Sequence, residues 1–334
     1  MVIVESYFIA VVMCVITMLC WGSWANTQKL ASKRWPFQLF YWDYVIGVVL
    51  LSLILGLTMG STGDAGRGFL ADLAQASLNN LWLAFLGGVI FNISNILLVA
   101  AIEVAGMAVA FPVGVGLALA IGVITNYIGQ PAGNATVLFI GVALVVIAII
   151  IDAMAYRKLT SKGEKTPTKG IMISILAGVL MGFFYRFVAA SMSENYALLE
   201  VGKMSPYSAV FVFSIGLFVS NFVWNTYFMY KPIVGEKVSY ADYFKLGDGR
   251  LHLIGILGGI IWGIGMSFSI IAAGAAGFAI SYGLGQGAVM IAALWGVFIW
   301  KEFKDAPKGT NALIALMFAC FILGLGLIVT ARLT

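Results

Sequence analysis

Residues 87–116 (GGVIFNISNILLVAAIEVAGMAVAFPVGVG) and 258–287 (GGIIWGIGMSFSIIAAGAAGFAISYGLGQG) align without a gap at an offset of 171. Ten of the thirty positions are identical: Gly87/Gly258, Gly88/Gly259, Ile90/Ile261, Ile93/Ile264, Ala101/Ala272, Ala105/Ala276, Gly106/Gly277, Ala108/Ala279, Gly114/Gly285 and Gly116/Gly287. Each copy reads as a hairpin of two apolar helices. A duplicated hairpin constrains the fold more than any single residue does. It predicts two similar halves set against each other in a membrane, a common ground plan of secondary transporters.

The rest of the chain agrees. Hydrophobic residues make up 62% and charged residues 10% of 334 positions, a composition no soluble fold of this size can hide. The apolar runs are about 20 residues long, which means helices, and the alternation of a barrel strand is missing. Ten spans are predicted, over 5–25, 40–60, 81–101, 106–128, 134–155, 170–191, 206–230, 251–273, 276–300 and 309–331. The first starts without a basic flank or cleavage site and reads as a retained helix.

Basic residues sort to alternate loops. One side takes Lys29, Lys33, Arg34, Arg157, Lys158, Lys162, Lys165, Lys169, Lys231, Lys237, Lys245, Arg250, Lys301, Lys304 and Lys308. The other takes Arg67, Lys203 and Arg332. The positive-inside rule makes the first side cytoplasmic and puts both termini outside. The polar segment 156–169 then links two five-helix repeats, 1–155 and 170–334. Five is odd, so the halves enter with opposite orientation and form an inverted repeat. The +5 charge is therefore a topology signal, not a nucleic-acid one.

Inverted repeats place substrate at their interface, where helices are interrupted by Gly or Pro. Pro112 in span four and Gly283 in span nine occupy equivalent positions of the repeat. Asn92 and Asn95 lie mid-span in helix three. Gln286 lies mid-span in helix nine, with Tyr282 one turn away on the same face, and Trp262 lies in helix eight. Amides suit hydroxyl or ureide groups, and aromatic rings suit a sugar face or a planar heterocycle. Interhelical hydrogen bonding and plain packing are the competing roles. Trp21 reads equally as pocket or interfacial belt, and Trp24 as belt.

Arg186 is the basic residue set within a span. It reads as a gating or charge site, or as a side chain snorkelling or pairing with Glu194. Glu103 is the ion-coupling candidate because it lies between the two helices of the duplicated hairpin. Its copy is Gly274, so the acid is not part of the repeated framework. Asp43 is expected to pair with Arg34 or Lys29. One histidine and three scattered cysteines give no metal site, and no cofactor motif is present.

Ten spans, the five-plus-five repeat and the basic central loop resemble the drug/metabolite transporter superfamily. WGSWANTQKL, FYWDYVIGVVLLSL and the closing LWGVFIWKEFKDAP look like its glucose/ribose porter and ureide permease branch. The tail recurs broadly in the superfamily and supports fold more than substrate. The resemblance covers essentially the whole chain. It implies uptake of a small polar metabolite, sugar or ureide, driven by H+ or Na+. It implies a cavity lined from helices one, three, four, six, eight and nine, which carries in Trp21, Asn92, Asn95, Pro112, Arg186, Trp262, Tyr282 and Gln286. The long central domain of plant ureide permeases is missing, and no phosphate-binding loop replaces it.

The expectation is therefore an alternating-access importer in a bacterial inner membrane. A drug or metabolite exporter on the same fold is the alternative, and a non-transporting sensor or a membrane enzyme fits less well. The Gly-xxx-Gly spacings at Gly178/Gly182, Gly255/Gly259 and Gly259/Gly263 suit packing inside one chain or between two copies in a homodimer.

Overall fold

Apolar runs become helices because a membrane leaves no other way to satisfy their backbone. The computed structural model describes residues 1–31, 34–105, 107–159, 168–233 and 235–334, without the side chains of residues 107, 108 and 111. Lys33, Gly106, Lys162, Lys165 and most of the 156–169 linker lie outside the described residues.

The elements are α1 (Tyr7–Ser23), α2 (Ala25–Ala31), α3 (Phe37–Leu57), α4 (Phe69–Gln75), α5 (Leu78–Ala105), α6 (Met107–Gly129) and α7 (Ala135–Arg157). They continue with α8 (Thr168–Ala190), α9 (Pro206–Tyr230), α10 (Tyr240–Leu246), α11 (Gly249–Ala276), α12 (Phe278–Gly285), α13 (Ala288–Leu294) and α14 (Thr310–Thr330). A π-helical turn, Trp295–Ile299, follows α13. Ten helical stretches are long and apolar enough to cross a membrane. The protein is an all-α, ten-span membrane protein.

Helix starts carry the expected caps. Asn134, Ser205 and Asp248 accept from the backbone N–H three residues on, which satisfies an otherwise orphaned donor. Ser239 and Asp242 form a reciprocal capping box at α10. The span after α11 turns on Gly277, whose φ of +87° and ψ of 147° admit glycine and little else.

Several helix pairs approach until backbone meets backbone, most tightly α5 on α9 and α11 on α3. A Cβ on Gly88 of α5 would strike the Phe213 carbonyl of α9, and one on Gly259 of α11 would strike the Tyr44 carbonyl of α3. Gly88 and Gly259 are equivalent positions of the duplicated segment. α5 and α11 are each 28 residues long, and α4 and α10 are each seven, both pairs offset by 171. Gly178 packs on Gly114, Gly182 on Ile121, Gly255 on Asp43 and Gly263 on Leu51. The Gly-xxx-Gly stripes are thus used inside one chain.

The span-nine interruption is present, since α12 stops at Gly285 and α13 starts at Ala288. Span four differs. α6 runs through Pro112 without a break, so equivalent positions do not interrupt both helices.

Candidate functional site

A cavity of about 480 Å³ lies between α1, α5, α6, α7, α8, α11 and α13, within the size range of small-molecule sites. It runs from mid-span to the end that carries the lysines. Trp21, Asn95, Trp262, Gln286 and Glu103 line it.

Its deep end is aromatic. Phe91 and Trp262 are equivalent positions of the duplicated segment, and their rings meet with centroids 4.4 Å apart. Trp21 stacks on Trp262 at 6.0 Å and donates from Nε1 to the Trp262 carbonyl at 3.2 Å. Phe184 joins this wall. Such faces suit the apolar side of a flat or ring-shaped solute.

Two amides punctuate the wall. Asn95 Nδ2 donates to Tyr41 Oη at 3.2 Å. Gln286 is 8% exposed and lines the cavity, and its side chain has no hydrogen-bond partner among the described residues. A buried amide in that state has up to four hydrogen-bonding positions to offer a ligand or water. Its location follows from the helix break, where Gln286 caps α12.

The mouth is polar. Lys29 Nζ pairs with Glu302 at 2.8 Å and lies 4.1 Å from the Trp300 ring centroid. Tyr156 Oη donates to the other Glu302 oxygen at 2.8 Å. Trp300 Nε1 donates to Asn26 Oδ1 at 2.7 Å, and Trp295 Nε1 to Ser23 Oγ at 2.9 Å. These bonds fasten the end of α1 and α2 to the π-helical turn of span nine and the residues just after it. Asp152, Tyr156, Glu302 and Trp300 are lining residues that sequence reasoning missed. Trp24 also lines the cavity and packs on Tyr44 at 4.9 Å.

Four expected site residues are elsewhere. Asn92 donates to Leu217 O at 3.2 Å and Ser220 Oγ at 2.8 Å, which places it in the α5–α9 interface. Tyr282 is fully buried, lies against Gly122 and donates to the Ala118 carbonyl at 3.1 Å. Its phenol finds an acceptor in the neighbouring helix, so it and Gln286 do not share the cavity face. Pro112 does not line the cavity. Arg186 lies over Gly129 at the end away from the mouth, and among the described residues it has no ion-pair partner. Glu194 follows the end of α8, so the helical register that would have brought it to Arg186 stops short.

Asp43 takes neither Arg34 nor Lys29. It is 1% exposed and accepts from Trp35 Nε1 at 3.2 Å and from the Tyr243 hydroxyl, with His252 Nδ1 at 3.0 Å. Tyr243 lies on α10, and burial with the Asp43 carboxylate beside it raises its phenol well above the usual range.

The far side of the cavity is sealed. Tyr185 bonds Ser269 at 2.9 Å, Ser269 bonds Ser281 at 3.1 Å, and Tyr196 donates to the Ile270 carbonyl at 2.9 Å. Beyond this layer Arg67 bonds Asp72 at 3.0 Å and the carbonyls of Leu199, Glu200 and Lys203.

The sequence profile of the ureide permease family matches residues 40–165 and 157–331. The chain belongs to the ureide permease family. Ureide permease 1 of Arabidopsis thaliana is 23% identical over 99% of both chains. Probable ureide permease A3 of Vigna unguiculata is 21% identical over 92% of this chain and 99% of its own. Probable glucose uptake protein GlcU of Staphylococcus aureus is 24% identical over 85% of this chain and 88% of its own. A crystal structure sharing 15% identity superposes with a TM-score of 0.60 over 98% of this chain and 99% of that one, which shows a common fold. As a permease, the protein is a membrane transporter and not an enzyme.

Proposed function

We propose that this permease is a secondary active importer of a small polar solute, a ureide or a sugar, working by alternating access. Two five-helix halves, 1–155 and 170–334, related as an inverted repeat and joined by 156–169, would rock around the cavity. The basic end would face the cytoplasm of a bacterial cell, with both termini outside. The cavity would then be open inward. The driving ion is H+ or Na+, carried at a carboxylate of the lining.

The observation that carries this reading is Gln286. A nine-tenths buried amide without a partner among the described residues, set in an aromatic wall, matches a solute with hydrogen-bonding groups and flat faces. The names of the plant and bacterial relatives support the solute class.

Thermal unfolding of the purified permease across monosaccharides, ureides, nucleosides and hydrophobic cations tests it. Preferential binding to the folded state raises Tm by mass action. A selective rise with a ureide or sugar is expected. Gln286→Ala should weaken that binding by about 1–3 kcal/mol. A response to hydrophobic cations alone would replace import with export.

A further inference from the structure

Three carboxylates line the cavity, and they are not equivalent. Glu302 is already satisfied by Lys29 and by the Tyr156 hydroxyl, each at 2.8 Å. Glu103 is exposed near the end of α5. Asp152 of α7 is 8% exposed and lines the cavity. Among the described residues no donor and no cation pairs with it. Its electrostatic neighbours are Glu302, a like charge, and the Tyr156 hydroxyl, which is spent on Glu302. The basic residue of the lining, Lys29, is held on Glu302.

A lone carboxylate in a membrane span is expensive, and a bound cation relieves it. A metal ion asks for several converging oxygens. A proton asks for one. Asp152 meets the second requirement and, with Glu302 already engaged, not the first.

We propose that Asp152, and not Glu103, is the protonation site of the transport cycle. This rests on the reading of the permease as an ion-driven transporter. In the cycle, the Asp152 carboxylate takes a proton from water on one side of the membrane, forming one O–H bond. It returns the proton to water on the other side after the cavity has switched. The neutral acid lets the cavity close without enclosing an unpaired charge, which is how solute movement becomes tied to the proton.

The test uses the full chain in lipid vesicles, with radiolabelled allantoin and glucose as probes and an imposed pH gradient. Wild type should accumulate a probe, and in Glu103→Gln any accumulation, whatever its rate, should still depend on the pH gradient. Asp152→Asn should fall to the level of empty vesicles in accumulation while keeping exchange of the same solute across the membrane. Accumulation by Asp152→Asn overturns the proposal, as does wild-type accumulation driven by sodium and not by pH. A wild type that accumulates and exchanges neither probe overturns the ureide-or-sugar reading on which the proposal rests. If Asp152→Asn does not fold, wild-type labelling decides. Dicyclohexylcarbodiimide reacts with protonated carboxyl groups in apolar surroundings. Mass spectrometry should find the adduct on Asp152, declining as pH rises. No adduct on Asp152 at any pH overturns the proposal.

Discussion

The two ends of the permease are fastened by different chemistry around matching parts. α4 and α10 are seven-residue helices offset by 171, one at each end. At the sealed end Asp72 is fully buried, and its carboxylate is met by Arg67, a permanent cation, and by the Ser205 backbone N–H at 2.7 Å. At the open end the buried carboxylate is Asp43, met by an indole, a phenol and an imidazole. The sealed end sets a guanidinium on its carboxylate, and the open end sets aromatic side chains on its own. A shared framework therefore carries an ionic clamp on one side and an aromatic, hydrogen-bonded one on the other.

The largest effect expected from breaking this comparison is at the clamp. Asp72→Ala takes the counter-charge from a partly exposed guanidinium and the acceptor from the buried Ser205 N–H, and unfolding should show a loss of about 3 kcal/mol. Asp43→Ala should cost less, about 1–3 kcal/mol, because the partners left behind are hydrogen-bond donors and not a fixed charge. Equal losses in the two variants would erase the distinction. Lys29→Ala breaks a half-exposed ion pair at the mouth and should change unfolding by no more than about 1 kcal/mol.

The smallest effect concerns Asp242, which caps α10. Hydrogen bonds from Ser239 hold its carboxyl below the usual carboxylate range. Its contribution is present at neutral pH and is lost as pH falls through that lowered value. Asp242→Asn should remove this acid-side loss. Unfolding curves of the two proteins across acidic pH check it.

The ten spans were legible because each needs about 20 apolar residues, and length survives without knowledge of packing. Asn95, Trp262 and Gln286 stood out by their position in the duplicated hairpins, whereas Trp21 in helix one read equally as pocket or interfacial belt. Asn92 was not legible: a spacing of three sets it on the same side of the helix as Asn95, and it is tertiary packing that lets α9 capture it. Tyr156 and Glu302 meet although 146 residues separate them. No periodicity in either segment encodes that meeting. The seven-residue helices α4 and α10 fell below the length at which an apolar run announces itself, and Asp43 was misread with them because its partner Tyr243 lies on α10.

The bare contacts of α5 on α9 and of α11 on α3 also bear on how the chain is made. Gly88 reaches the membrane 125 residues before the Phe213 carbonyl that will cover it. α3 likewise enters long before Gly259 arrives. Each early helix thus waits beside the growing chain with a face cut for a neighbour not yet synthesised. A methyl group at either glycine would leave insertion of the early spans intact and fail only when the late helix tried to dock. Such a variant would be membrane-inserted, full-length and open to proteolysis, a defect of assembly and not of entry into the bilayer.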